Sequence, residues 1–148
     1  MLLPIECAIA CIIFAVIILP TQYKDPVKYV MSYPPEIRKR VGSLLKKLIA
    51  VFIFIPLLAA VAYYSGAKSF QTAFIHVFIL FLSVNLFDVI VLDIGVFCHS
   101  KKLRIAGTED MDKEYKNYLF HVKGGIKGIV LGIVIALLSA GVVQVVFM

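Results

Sequence analysis

Apolar and polar residues do not alternate along this chain; they come in blocks. Residues 1–20 (MLLPIECAIACIIFAVIILP) carry one charge, Glu6, and residues 48–64 (LIAVFIFIPLLAAVAYY) carry none. Residues 72–98 and 128–147 form two further apolar runs. Runs of about 20 apolar residues match a hydrocarbon core about 30 Å thick, so the blocks predict four membrane-spanning helices. Pro56 sits inside the second run, where a membrane helix tolerates a kink. Residues 1–20 have neither a basic leader region nor a small-residue cleavage site, so they are read as a retained span. The expected fold is an all-α integral membrane domain over residues 1–148. It is a bundle of four transmembrane helices with helical, amphipathic cytoplasmic segments at 21–47 and 99–127.

Composition supports this class. The chain is 61% hydrophobic and only 16% charged. Globular domains are about half apolar and a quarter charged, so a soluble core could not hide this much apolar surface. Charge then orients the spans. Of the 15 basic residues, 14 fall in segments 21–47 and 99–127, and Lys68 alone lies in the 65–71 connection. The positive-inside rule places both basic segments in the cytoplasm and both termini outside, in the plasma (inner) membrane. A formal charge of +6 could suggest nucleic acid. Here it lies beside membrane spans and no aromatic–basic recognition module accompanies it, so no nucleic-acid partner is expected.

The basic segments have patterns of their own. In YPPEIRKRVGSLLKKL, Ile37, Val41, Leu44, Leu45 and Leu48 recur at helical spacing, with Arg38, Lys39, Arg40 and Lys46 on other faces. A basic amphipathic helix of this kind lies at the headgroup level, and residues 36–47 are expected to meet anionic lipid headgroups. In KKLRIAGTEDMDKEYKNYLFHVKGG, Thr108 is a suitable N-cap, with Glu109, Asp110 and Asp112 in the first turn after it. Met111, Tyr115, Leu119 and Val122 then make an apolar stripe, and Gly124 and Gly125 are expected to end or loosen that helix before the fourth run. In the fourth run Gly124, Gly128, Gly132, Ala136 and Ala140 recur every fourth residue, a row of small side chains that lets helix backbones approach. The partner of that row, in the same chain or in a second copy, is left open.

Candidate chemistry lies in NLFDVIVLDIGVFCHS, residues 85–100, where Asp88 and Asp93 interrupt an apolar run. A charge at mid-membrane costs about 2.5–3.5 kcal/mol on insertion scales, so such residues usually face a bundle interior and mark a site. On a straight α-helix Asn85, Asp88 and His99 fall within about 60° of one another, while Asp93 points about 140° from Asp88. The expectation is a polar cavity open to the cytoplasm. Asp88, His99 and Glu109 are its acid–base candidates, and Asn85, Asp93, Tyr115, His121 and Lys127 its ligand-binding walls. Asp88, the deeper acid, is expected to carry the activity; Asp93 is expected to be satisfied by Lys127. Neither a metal nor a cofactor is identified by the pattern. Cys7, Cys11 and Cys98 form no CxxC pair and are read as packing residues.

The stretches NLFDVIVLD, GTED and YLFHVKGGIKG resemble a group of small four-span bacterial membrane proteins of anaerobic Gram-positive bacteria. The resemblance covers residues 85–128 and implies no activity. Three functions therefore compete: a lipid- or small-ligand-binding protein or membrane enzyme, a small proton-coupled transporter, and a structural subunit that joins partners or copies through the fourth span.

Overall fold

In a computed structural model the chain is all-helical; it describes residues 2–26, 33–41 and 48–147, with no strand among them. Helix α1 is Leu3–Lys24, α2 is Pro35–Val41, α3 is Leu48–Tyr64 and α4 is Phe70–Phe87. The α4 rod continues without a break as a π-helix, Asp88–Phe97. A short α5 (Asp112–Tyr115) and the long α6 (Tyr118–Val146) complete the order. Three stretches are long and apolar enough to cross a membrane: α1, the rod Phe70–Phe97, and the stretch that contains α6. The fourth apolar helix, α3, has 17 residues and the bounds expected of the second span.

The α4 rod is the centre, and α1, α3 and α6 all pack on it. Helices α3 and α4 are joined by a turn that the sequence specifies closely. Gly66, at φ +94°, lets Ala67 N donate back to Ala62 O and Gly66 N to Tyr63 O, which closes α3 with a Schellman motif. Ser69 then opens α4 with a capping box. Its hydroxyl accepts from Thr72 N at 3.2 Å, and Ser69 N donates to Thr72 Oγ1 at 3.0 Å. Next to this turn Ala59, Ala62, Ala67, Ala73, Ala136 and Ala140 pack with Val77 and Val143, so small side chains bring α3, α4 and α6 close together.

Between α4 and α6 the fit is closer still. A Cβ at Gly125 would collide with Val89, at Gly128 with Asn85, and at Gly132 with Phe81. Gly124 does not belong to this row: it is exposed and nothing lies near its missing Cβ. The reason is angular. A step of four residues turns about 40° past a full helical turn, so the row that holds the contact face at 128, 132, 136 and 140 has wound off it at 124. The contact residues 125, 128 and 132 step by three and four instead. Neither Gly124 nor Gly125 ends a helix, because α6 runs through both.

The other end of the bundle carries a small core resembling that of a soluble protein. Tyr33, Ile37, Phe97, Cys98, Leu103, Ile105, Met111 and Tyr115 are buried against one another. Helix α2 thus turns Ile37 inward; the rest of the amphipathic segment expected at 36–47 lies outside the described residues from residue 42 on. The helix expected from Thr108 is also different. Thr108 is buried and donates to Ile105 O at 2.7 Å, the chain turns at Gly107 (φ +82°), and α5 begins at Asp112. A break at 116–117 follows, and the Asn117 side chain caps α6 by accepting from Phe120 N at 3.0 Å. Only Met111 and Tyr115 of the expected stripe are buried; Leu119 and Val122 are exposed.

Candidate functional site

The π-helix rearranges the acids. Its i→i+5 hydrogen bonds, such as Cys98 N to Asp93 O at 2.9 Å, stack residues five apart. Asp93 and Cys98 therefore lie on one side of the rod, where both meet His121, whereas an α-helix would set residues five apart about 140° from each other. Long π stretches are rare because their backbone geometry is poor, so tertiary contacts must hold this one. The packing of Val89 against Gly125, the burial of Leu92 and Phe97, and the contact made by Asp93 supply them.

Asp93 meets α6, not Lys127. Its Oδ2 lies 3.0 Å from His121 Nδ1, and the Cys98 thiol lies against the same ring. His121 is 2% exposed and Asp93 is half-buried, so the carboxylate is the less buried member of the pair. With Nδ1 donating to the carboxylate, His121 Nε2 is left buried without a hydrogen-bond partner. Phe97 packs edge-on against the ring, with centroids 5.2 Å apart. His121 stands on the same face of α6 as Gly125, Gly128 and Gly132, so the packing that brings the helices together also delivers the imidazole to Asp93. One step along, the Asn85 amide donates to Gly125 O at 3.0 Å.

The remaining residues expected around one cavity are not gathered there. Glu109 is exposed and accepts from Gly107 N at 3.0 Å, closing a local turn rather than reaching under the rod. His99 is exposed, with Nδ1 2.9 Å from Ile94 O and its ring stacked near Tyr118. Lys127 is exposed on α6. Tyr115 is fully buried, where its hydroxyl accepts from Ile105 N at 2.9 Å and bonds Thr108 Oγ1 at 2.7 Å. Tyr33 beside it donates to Leu103 O at 2.8 Å. Burial, and secondarily the neighbouring Tyr115, push the Tyr33 phenol above its ordinary range, opposed by a hydrogen bond from Gln22. Asp88 is half-buried at the start of the π-helix.

A rim of charge surrounds this core. The Arg104 guanidinium lies 4.5 Å from the Tyr115 ring and pairs with Asp112 at 2.5 Å, and Lys116 reaches the other Asp112 oxygen at 2.8 Å. Asp112, ahead of α6 and half-exposed, has its carboxyl held below the usual range, first by Lys116 and then by Arg104.

A second acid–imidazole group lies at the opposite end of the bundle. Glu6 Oε2 of α1 is 2.8 Å from His76 Nε2 of α4, and Ser65 donates to Glu6 Oε1 at 2.6 Å. His76 is 1% exposed. Sequence reasoning missed this cluster. The available signals were one acid in the first run and one histidine in the third; nothing local says that they meet. It also missed Cys98 as a neighbour of His121. Among the described residues no group of three or more His, Cys, Asp and Glu side chains is arranged to hold a metal ion. The chain matches no family model, no curated protein and no solved structure.

Proposed function

We propose that this chain is a four-span membrane protein with both termini outside the cytoplasm, acting as a small proton-coupled carrier through Asp93 and His121. The observation that carries this reading is the Asp93–His121 contact: a half-exposed carboxylate, 3.0 Å from a buried imidazole that keeps one ring nitrogen unpartnered. A proton that reaches Asp93 from water has the imidazole as its next acceptor, and the free Nε2 gives that ring a second place to release it. Intramembrane acids and histidines that face a bundle interior are the groups from which proton relays are built. A cytoplasmic location for this end follows from its share of the basic residues, and its Arg and Lys rim suits anionic headgroups.

The test uses the full chain in liposomes that enclose a pH indicator. An imposed proton gradient should collapse faster with the wild-type protein than in empty vesicles. Asp93→Asn and His121→Gln should slow that collapse at least about tenfold, in line with the usual effect of removing a proton-transfer group. Asp93→Asn or His121→Gln vesicles that match wild type would remove the pair from the path. Reporters fused after Met148 and placed within 101–106 should read outside and inside respectively, and the opposite result would overturn the orientation.

A further inference from the structure

We infer that the aromatic core at the end of the rod binds a phosphate group, that of an anionic lipid, with Arg104 as its chief donor and Arg38 as its second. The first ground is donors without acceptors. The Arg104 side chain is 8% exposed, and its guanidinium lies against the fully buried Tyr115 ring. Asp112 meets Nη2, while Nε and Nη1 are buried with no hydrogen-bond partner. Arg38 Nε is buried without a partner as well. Both arginines border one core: Arg38 adjoins Ile37, Arg104 lies between Leu103 and Ile105, and these three apolar residues belong to the same cluster. An unmet donor on a buried charged group costs more than one on a neutral group, and such exceptions in a folded core point to a bound ion or water.

The second ground is charge. Arg104 and Lys116 share one carboxylate, Asp112, with one cation on each oxygen. Glu109 accepts from Gly107 N and Asp93 is committed to His121, so neither answers the guanidinium. Asp112 also shows what the site accepts: two oxygens bridging a guanidinium and an ammonium, as two oxygens of a phosphate would. Asp112 and Lys116 are half exposed, so this pair can turn outward and admit another anion, while Tyr115 holds the guanidinium in place. The third ground is depth, and it selects the lipid. The core begins at Phe97, where one membrane-length stretch ends, and α5 stands just ahead of α6, which belongs to another. That is headgroup level, where a basic pocket between spans meets lipid phosphates. Tyr118, Leu119, Val122 and Ile126 are exposed along the start of α6 and offer the acyl chains a surface.

This site rests on the membrane placement of its end of the bundle and not on proton transport, so lipid binding and proton flux can fail separately. The test uses the full chain in detergent micelles, with bound lipid counted by native mass spectrometry. One dioleoyl phosphatidic acid should bind per chain, about tenfold more tightly than dioleoyl phosphatidylcholine, which has the same acyl chains and no net charge. Arg104→Gln should weaken that binding about tenfold and Arg38→Gln about threefold, the scale set by losing charged hydrogen bonds. Because Arg104→Gln also strips Tyr115 and Asp112 of a partner and can unfold this core, Asp112→Asn supplies a check of opposite sign. It keeps Arg104 and removes the internal carboxylate that competes, so affinity should rise about threefold. Lys123→Gln, exposed on α6, removes the same charge as Arg104→Gln and should change affinity less than about twofold. If inorganic phosphate alone binds as tightly as the lipid, the phosphate site stands and its occupant is the free ion. Four results would overturn the inference: equal binding of phosphatidylcholine, a folded Arg104→Gln protein that binds like wild type, an Asp112→Asn protein that binds no tighter, or a Lys123→Gln loss as large as that of Arg104→Gln.

Discussion

Helices α6 and α1 are both long and apolar, and both lie against α4, yet they are held by different means. Helix α6 is fitted by shape: three of its glycines meet Val89, Asn85 and Phe81 so closely that no side chain could be added. Helix α1 presents a half-buried stripe and relies on polar contacts near its ends. Shape acts along the whole seam, whereas polar contacts hold at points. One neighbour of α4 is thus held along its length and the other chiefly near its ends. The difference shows how two helices of similar hydropathy can be seated on one rod, one by shape and one by polar contacts.

The contrast can be broken most severely at the fixed seam. Gly128→Leu should cost roughly 3 kcal/mol, since the side chain must displace Asn85 or part the helices. Thermal unfolding in detergent should show a large drop, and an unchanged melting temperature would mean that the seam is not a packing contact. At the α1 seam the core-end attachment can be tested apart from Glu6. Tyr33→Phe removes the donor to Leu103 O and the partner of Gln22, both in a buried setting, and should cost about 2 kcal/mol. It should also raise modification of the α1 thiols at neutral pH. Asp112→Asn touches neither seam. Because the Asp112 carboxyl titrates below its ordinary range when folded, its contribution is present above that range and is lost as the pH falls through the lowered one. The variant should match wild type in acid and fall slightly below it at neutral pH. The smallest effect belongs to Gly124→Leu, which faces open space and should stay within about 0.5 kcal/mol of wild type. A large loss there would restore the every-fourth row.

Much of this architecture is legible in the sequence, because the signal for a helix in lipid is local. The run 48–64 has the same bounds as α3, and the third run differs from the rod Phe70–Phe97 by a residue or two at each end. What stayed hidden depends on partners far along the chain. Depth in the span pairs Asp93 with Lys127, and α-helical angles say nothing of His121, which Asp93 meets from the π-helix. Thr108 has the composition of an N-cap, but burial beside Tyr115 gave its hydroxyl a better use than opening a helix. Glu6 and His76 are 70 residues apart, and apolar periodicity says nothing about which polar residues will meet. The three-and-four spacing of residues 121, 125, 128 and 132 was the one clue to the site that the chain did display, since it puts His121 on the glycine face.

The Asn85–Gly125 bond has a consequence for how the protein is made. Its two ends are 40 residues apart in sequence. At about 5–20 residues per second of synthesis, α4 exists for roughly 2–8 s before the segment that receives its amide has been translated. During that interval Asn85 and Asp93 lack their α6 partners, a poor state in which to enter lipid. Helix α4 is therefore expected to wait in the protein-lined insertion channel and to enter the bilayer together with α6, which makes membrane entry and packing a single event for this pair.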